Sequence, residues 1–268
     1  MILGAAIDTP DPAATARELG WGAVQLHLSD PQTWKGPATE YPGGFEGLGA
    51  ALADASVQLF VHSPFVLNVA STNNRIRIPS RQLLQKTLDA AAKAGAKGVV
   101  VHGGHVLKDE DPEIGFENWF KAVDGLKITT PILIENTAGG AGAMARTLER
   151  IAALWEHISR SDNAEHVGFC LDTCHAHAAG LELATVAGEI ESITGRIDLV
   201  HANDSRDPFG SHRDRHANLG QGECDPAGLV EAVVQAGAPA IVETPGGPEA
   251  QAKDVEWLEA RMSSCPQH

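Results

Sequence analysis

Short apolar segments recur along the chain at regular intervals and predict its architecture. Eight of them are rich in Val, Ile and Leu, and most lack polar alternation, which is typical of strands covered on both faces in a parallel sheet. The segments span residues 2–7, 23–28, 58–62, 98–102, 132–135, 167–171, 197–201 and 240–243.

Segments with helical spacing separate these strands. They span residues 12–19, 45–53, 80–94, 116–126, 143–158, 183–193, 226–236 and 249–262. In the clearest of them Leu84, Leu88 and Ala91 share one face, and Gly95 follows as a C-cap signal. Eight alternations of strand and helix favour an α/β fold in which a parallel sheet closes into a (β/α)8 barrel.

Length and composition add the expected organisation. With 268 residues, 43% of them hydrophobic, the chain can bury one large core, and no linker or low-complexity tract divides it. A single domain over residues 1–268 is therefore expected. Neither a signal-peptide pattern nor a run of 18 apolar residues is found, so a cytoplasmic protein away from membranes is expected. The four cysteines, with no C-x-x-C pattern, agree with a reduced compartment.

The charge balance limits the partners. A formal net charge of −15 leaves no diffuse basic surface to attract nucleic acid by long-range field. A polyanionic partner would need local positive charge. Bound divalent metals could supply it, because their charge is absent from a count of Lys and Arg.

Six consecutive predicted strands end in a potential metal ligand. The residues are His62, His102, Glu135, Asp172, His201 and Glu243. Any one of them alone would be read as a solvated boundary residue. Because the active site of such a barrel is assembled at the carboxyl ends of its strands, six together predict a metal site of the carboxylate and imidazole type that suits Zn, Mn or Fe.

Two further pairs lie downstream of strand ends. Asp172 and His175 are three residues apart, so a helical turn would let both face one centre. Asp214 and His216 are two apart, so an extended loop would point both the same way and Arg215 the opposite way. The spacing assigns no ligand role to His105, His177 and His212, for which outer-shell or solvated positions are expected.

Six motifs in order resemble those of the endonuclease IV family of apurinic/apyrimidinic endonucleases. They are "HSPFVLNVAS" (62–71), "VHGGHV" (101–106), "IENTAGG" (134–140), "GFCLDTCHAHAAG" (168–180), "HANDSRDPFGSHRDRHANLGQG" (201–222) and "VETP" (242–245). The resemblance implies a TIM barrel with three zinc ions, Mn or Fe being possible at some positions. It assigns His62, His102 and Glu135 to one metal; Glu135, Asp172, His201 and Glu243 to a second; and His175, Asp214 and His216 to a third.

The resemblance also implies the reaction. It is hydrolysis of the phosphodiester on the 5′ side of an abasic site in double-stranded DNA, leaving a 3′-hydroxyl, with related removal of 3′-blocking groups. Catalytic roles fall to Glu135 and Glu243, and we assign Glu135 as the bridging ligand that orients the nucleophilic water or hydroxide. A pair of metals about 3.5–4 Å apart can stabilise both the attacking and the leaving oxygen. Nothing in the sequence demands a partner chain, so a monomer is expected.

Other residues of the same motifs and loops suit a DNA backbone. Phosphates are bound mainly by Arg, Lys and backbone amides, and the candidates are Lys35, Arg75, Arg77, Arg206, Arg213 and Arg215. Phe65 and Val66 could wedge into the duplex where a nucleotide is extruded. Solvated arginines and a packed phenylalanine are the alternative interpretation of these positions.

The first two strand ends depart from the family pattern. The segment "LGAAIDTP" lacks the usual His and Ser, "LSDPQTWKGP" replaces an Asn-rich stretch, and Phe65 replaces a usual Tyr. The "VHGGHV" motif is one residue shorter than the common form. These departures bear on damage recognition and substrate range, because all nine ligand positions are intact.

Two other classes of protein are alternative interpretations of the ligand pattern. A sugar isomerase or epimerase of the xylose-isomerase-like group also places His, Glu and Asp at strand ends, but it has no evident use for His175, Asp214 and His216. A non-catalytic zinc-binding protein would not be expected to combine nine ligands with a set of DNA-contacting loops.

Overall fold

The computed structural model describes residues 1–263, so Cys265 lies outside the described residues. Eight parallel strands close into a barrel: β1 (Leu3–Ala6), β2 (Ala23–His27), β3 (Gln58–His62), β4 (Gly98–His102), β5 (Ile132–Glu135), β6 (Val167–Asp172), β7 (Leu199–His201) and β10 (Ala240–Val242). Their order around the barrel is β1-β10-β7-β6-β5-β4-β3-β2. The predicted (β/α)8 barrel is confirmed.

A short antiparallel hairpin interrupts the barrel pattern after β7. It pairs β8 (Asp204–Ser205) with β9 (His216–Ala217), and Ser205 lies opposite His216 in its register. The hairpin therefore returns the chain to the mouth of the barrel after a loop of ten residues.

Nine α-helices lie within residues 1–263. They are α1 (Pro12–Leu19), α2 (Gly44–Asp54), α3 (Asn74–Lys93), α4 (Pro112–Gly125), α5 (Leu148–Ile158), α6 (Thr173–Ala179), α7 (Leu183–Thr194), α8 (Pro226–Ala236) and α9 (Pro248–Met262). A 3-10 turn at Ala164–His166 precedes β6. Each of the eight predicted helices is found, and α6 is an addition.

Three helix starts differ from the predicted ones for local reasons. The Asn73 side chain accepts the Arg75 amide and begins α3 six residues early, with Pro79 inside the helix. The Asp111 side chain caps α4 in the same way, through the Glu113 amide. At α5 the prediction was wrong by five residues, because the segment before Thr147 bonds to other loops instead of forming a helical turn.

The core has two layers. Inside the barrel a small cluster is formed by Ala23, Phe60, Val100, Leu133, Cys170, Leu199 and Ile241. A larger apolar layer fills the space between the strands and the surrounding helices. Both faces of the central strands are therefore covered, which is why their sequences read as nearly continuous apolar runs. In the described part of the chain no helix combines the length and the apolar character needed to cross a bilayer.

Candidate metal centre

Glu135 lies at the centre of a histidine cluster at the carboxyl end of the barrel. Its Oε2 is 3.3 Å from His62 Nε2 and 3.1 Å from His102 Nε2. Its Oε1 is 3.1 Å from His201 Nδ1 and 3.3 Å from His175 Nδ1. Each carboxylate oxygen thus faces a different pair of imidazoles, while the residue itself is only 1% exposed. This is the arrangement that a ligand shared between two cations requires.

Two imidazole nitrogens converge on Asp214. His175 Nε2 and His216 Nε2 lie 3.1 and 3.2 Å from Asp214 Oδ1. Both nitrogen atoms are buried, and neither has a hydrogen-bond partner of good geometry. A buried polar atom without such a partner is costly, and lone pairs directed at one point are what a metal ion satisfies. The residues present therefore fit a bound cation.

Potential ligand atoms fall into four groups whose members all lie within 4.8 Å of one another. The groups are His62, His102, Glu135; Glu135, Asp172, His201, Glu243; Asp172, His175, His216; and Cys174, Asp214, His216. The first two groups coincide with the sets expected for the first and second metals. The set expected for the third metal is divided between the other two groups: His175 and His216 are grouped with Asp172, and Asp214 and His216 with Cys174.

Local structure explains how the third set is assembled. The Asp172 side chain accepts the amide of His175 and caps α6, which supplies the helical turn predicted after β6. The extended segment before β9 directs Asp214 and His216 toward His175, whereas Arg215 turns away and donates from Nε to Asp207 Oδ2 at 2.7 Å. The opposite orientations predicted from the two-residue spacing are therefore observed.

The carboxylates and imidazoles of the cluster shift one another's pKa values toward their charged forms. Burial alone would raise the pKa of Glu135, but the charges of His102 and His201 outweigh it and hold that pKa well below its ordinary value. The pKa of Asp214 is also lowered, since the polar contacts with His175 and His216 outweigh its burial. For His175 the opposing effect of burial is overcome by Asp172 and Asp214, which raise its pKa well above the ordinary value. In the absence of metal, protons on the imidazoles would therefore supply the positive charge that metal ions would otherwise bring to the carboxylates.

We expect the metal-free protein to lose stability between about pH 6.5 and 9. Burial opposes protonation of His216, but the contact with Asp214 and the charge of Asp172 raise its pKa to about 9. Because its pKa is raised in the folded state, protonated His216 adds on the order of 3 kcal/mol to the free energy of unfolding below pH 6.5. This contribution is lost as the pH rises through 9. Melting temperatures of the protein in chelator at pH 6.5 and at pH 9 measure this loss of stability.

Zinc should reverse this dependence, because metal binding requires deprotonated ligands. Burial raises the pKa of the Cys170 and Cys174 thiols to about 12, so they titrate above this window. A melting temperature of the metal-free protein that rises from pH 6.5 to 9 would contradict the assigned charge state of the cluster.

Three residues that the sequence analysis did not single out hold the candidate ligands in place. Gln25 donates from Nε2 to Glu243 Oε1 at 2.7 Å, and its Oε1 lies 2.8 Å from His201 Nε2. Asn203 donates to Asp172 Oδ2, at 2.7 Å, and Asn136 accepts from His175 Nδ1 through its carbonyl oxygen. Asn136 and Asn203 follow the ends of β5 and β7, whereas Gln25 lies in the middle of β2 and could have been noticed as a polar residue in an apolar strand.

A cavity of about 330 Å³ opens beside the cluster. Besides ligands it is lined by Ala6, Ile7, Asp8, Gln25, His27, Phe65 and Gln251. Burial and the neighbouring His62 lower the pKa of His27 to about 4, so its imidazole is neutral near pH 7. A second cavity, of about 300 Å³, reaches the cluster along residues 137–140 and His212.

The candidate DNA contacts have different surroundings. Phe65 is 52% exposed and its ring stacks 5.8 Å from that of His102, whereas Val66 packs against the core. Lys35 and Arg75 are exposed, but Arg77 is half-buried and donates to the Ser71 carbonyl. Of the two apolar candidates, only the phenylalanine projects into the mouth as a wedge would.

The arginines of the loop after β7 are exposed and differ in their partners. Arg213 and Arg215 both pair with the buried Asp207. Arg206 forms no ion pair within residues 1–263.

The three histidines without an assigned role lie outside the ligand groups. His105 is exposed, and His177 is buried with Nε2 3.1 Å from the Asp207 carbonyl oxygen. His212 has a left-handed backbone, with φ of 59°, and accepts from Arg146 at Nδ1. Their positions agree with the outer-shell or solvated roles expected for them.

Comparison with known proteins identifies relatives over the whole chain. The family model of xylose isomerase-like TIM barrels matches residues 13–261. A protein named probable endonuclease 4 from Mycobacterium bovis (strain BCG / Pasteur 1173P2) is 48% identical over 264 residues, which cover 98% of this chain and all of that protein. The probable endonuclease 4 of Mycobacterium leprae (strain Br4923) is 48% identical over 263 residues, with the same coverage.

Solved structures of similar fold also include an endonuclease IV. The crystal structure of endonuclease IV from Thermus thermophilus superposes with a TM-score of 0.83 at 28% identity, covering 99% of this chain and 100% of that one. A D-tagatose 3-epimerase-like protein superposes with a TM-score of 0.80 at 20% identity, covering 98% of each chain. The second similarity shows the shared fold alone. The chain belongs to the endonuclease 4 family of xylose isomerase-like TIM barrels, as the six ordered motifs predicted.

Proposed function

We propose that this protein is a metal-dependent DNA repair endonuclease that hydrolyses the phosphodiester 5′ to an abasic site. It leaves a 3′-hydroxyl and also removes 3′-blocking groups. The observation that carries the proposal is the cluster around Glu135, in which nine potential ligands from separate strand ends and loops meet at one mouth of the barrel. We further propose that the chain acts as a single-domain monomer.

Three zinc ions fit the donor set, with Mn or Fe as alternatives at some positions. His62, His102 and Glu135 would hold the first ion; Glu135, Asp172, His201 and Glu243 the second; and His175, Asp214 and His216 the third. When bound, such ions neutralise phosphate charge, stabilise the leaving oxygen and lower the pKa of water from 15.7 to about 7.

The protein's own residues would position the attacking water. Glu135 has one oxygen toward His62 and His102 and the other toward His175 and His201, so it is held rigidly at the centre of the cluster. We propose that this carboxylate orients the water for in-line attack and accepts its proton. Glu243, fixed by Gln25 and by Asn203 Nδ2 at 3.1 Å, would help to hold the second ion, which would supply positive charge to the phosphate.

The DNA strand would approach over the exposed rim of the mouth. Phe65 is the side chain placed to fill the gap left by an extruded nucleotide. Lys35, Arg75, Arg206, Arg213 and Arg215 would contact phosphates. Because the chain carries a net charge of −15, this local set has to act against repulsion from the rest of the surface.

Replacing Arg206 with Ala should weaken DNA binding evenly across sequences. Arg206 is exposed and has no ion-pair partner within the described part of the chain, so its full charge is available to a phosphate. Removing one phosphate contact should reduce the slope of log K against log salt by about one. Fluorescence anisotropy with a duplex at several salt concentrations measures this slope.

Arg261 provides a matched control for that measurement. It is an exposed arginine near the end of α9, and it stacks on Trp257 instead of facing the mouth. Arg261→Ala should leave the salt slope unchanged. An equal change of slope in the two variants would mean that Arg206 acts only through net charge.

The sugar isomerase or epimerase is the rival function, since such enzymes share the fold. The endonuclease and isomerase functions are distinguished by an activity assay of the zinc-loaded protein with three substrates. These are a duplex with one tetrahydrofuran residue, the same duplex without it, and free ketoses. We expect a nick on the 5′ side of the tetrahydrofuran alone and about three metal ions per chain. One ion per chain, no nick and turnover of a free sugar would overturn the proposal.

A further inference from the structure

One side of the barrel carries positive charge that no acid of the chain neutralises. Residues 73–97, which include α3 and the turn after it, contain six of the 20 Lys and Arg residues and one acid, in a chain with a net charge of −15. Because a helix turns once every 3.6 residues, Arg75, Lys86 and Lys93 lie within about 20° of one line along α3. The opposite face, with Leu84 and Leu88, is buried.

Neighbouring segments extend this charge on both sides of the helix. Lys127 is held beside the middle of α3 by Gln85, whose side chain accepts the Lys127 amide and donates to the Lys127 carbonyl oxygen, both at 2.9 Å. A β-carbon placed on Gly36 would lie 3.7 Å from Lys86 Cδ, so the segment that carries Lys35 also lies against α3. We call the six exposed cations of this region the α3 basic face; they are Lys35, Arg75, Lys86, Lys93, Lys97 and Lys127.

None of the six cations forms an ion pair with an acid in residues 1–263. Of the acids beside α3, Asp89 is engaged by Gln85 and Thr129, whose side chains donate to its Oδ1 at 3.0 and 3.4 Å. Glu46 and Lys93 line the same cavity, of about 510 Å³, between α2 and α3, but within the described part of the chain they do not pair. The charged groups of the face are therefore available to an external anion.

We propose that the α3 basic face is a docking surface for the phosphate backbone of undamaged double-stranded DNA. The 20 residues of α3 span about 30 Å, which is the length of about nine base pairs. Between residues 75 and 97, all of which the structure describes, Ile78 is the one large apolar side chain that is exposed. The core of a protein interface is instead apolar and poor in Lys, so a row of cations favours a nucleic acid over an acidic protein.

This surface lies outside the mouth and adds a second mode of DNA binding, which rests on the proposed function only for the choice of DNA as the partner. The face begins at the rim, with Lys35 and Arg75, and runs down the side of the barrel. Its far end lies beside Gln58, the first residue of β3, and so at the end of the barrel opposite the mouth. An intact duplex held there leaves the mouth empty, and electrostatic contacts of this kind allow a protein to slide along DNA.

The test measures binding of the zinc-loaded protein to an intact duplex by fluorescence anisotropy at several salt concentrations. One variant combines Lys86→Gln, Lys93→Gln and Lys97→Gln, which removes three charges of the face and none of the cations proposed for the mouth. The slope of log K against log salt should become shallower by about three, because each phosphate contact contributes about 0.9. Single-turnover cleavage of a saturating tetrahydrofuran-containing duplex should stay near the wild-type rate.

A second triple variant, with Arg17→Gln, Lys121→Gln and Arg261→Gln, is the matched control. These cations are also exposed, but they lie on α1, α4 and α9, outside the face. Their replacement changes the net charge by the same amount, and the salt slope should stay close to that of the wild type.

Equal changes of slope in the two triple variants would overturn the inference, since net charge alone would explain both. An unchanged slope in the lysine variant would overturn it as well. So would binding of a poly-glutamate peptide that depends on the three lysines while duplex binding does not, because the face would then belong to an acidic protein. None of these outcomes bears on the proposed function, which fails if the wild type leaves the tetrahydrofuran-containing duplex uncut.

Discussion

Glu135→Gln should reduce kcat on abasic-site DNA by about a thousandfold while the fold is retained, as expected when a positioned general base is lost. The amide keeps the shape of the carboxylate, but it can neither accept a proton nor present two equivalent oxygens to the histidine pairs on its two sides. Single-turnover cleavage of a tetrahydrofuran-containing duplex measures the loss, and circular dichroism reports the fold.

Glu165→Gln is a suitable control for this substitution. Glu165 is an exposed acid in the 3-10 turn before β6, remote from the mouth, and its side chain pairs with His166. Its replacement should leave kcat unchanged. If Glu135→Gln cleaved at a near wild-type rate with its metals bound, the central role assigned to Glu135 would be wrong.

Asp204→Asn should release the third metal and destabilise the protein by about 3 kcal/mol, because it weakens a buried set of hydrogen bonds to a charged group. Asp204 is 1% exposed, and its two oxygens accept four backbone amides, those of Ser205, Gly220, Gly222 and Cys224, at 2.8–3.0 Å. Three of these bonds attach the segment after β9 to β8, at the base of the hairpin that carries Asp214 and His216 to the mouth. An asparagine can satisfy only part of this set, because its amide nitrogen does not accept.

Metal analysis and thermal melting check this expectation, and Asp225→Asn is the control. Asp225 also accepts a backbone amide, that of Gly228 at 2.8 Å, but it caps α8 away from the hairpin. Its loss should cost about 1 kcal/mol or less and no metal. Three ions bound to Asp204→Asn with unchanged affinity would show that the hairpin does not depend on this carboxylate.

The barrel was predictable from the sequence because its strands are covered on both faces. Continuous apolar runs at Gly98–His102 or Ile132–Glu135 have no polar face to mask them, and each ends at a candidate ligand where the barrel core gives way to the mouth. The boundaries of α3 and α5 were less predictable, since single capping side chains, Asn73 and Thr147, decide where these helices begin.

The residues that meet at the mouth as candidate metal ligands were predictable, but the residues that support them were not. Most candidate ligands can be found from the sequence because they lie at or just after the carboxyl end of a strand, and these ends meet at one mouth of the barrel. The contacts of Gln25 with Glu243 and His201, by contrast, join residues about two hundred positions apart and depend on how the barrel closes. The cysteine spacing, with no C-x-x-C pattern, indicates no metal role for Cys174, yet the turn of α6 places its sulfur within 4.8 Å of potential ligand atoms of Asp214 and His216.

The most direct test of the central claim is incision of a duplex with one tetrahydrofuran residue by protein stripped with chelator and then given zinc. We expect no nick from the stripped protein. Restored zinc should return a nick on the 5′ side with a 3′-hydroxyl end, and its yield should rise until about three ions are bound per chain. Full incision by the metal-free protein, or none after zinc is restored to a folded protein, would contradict the account.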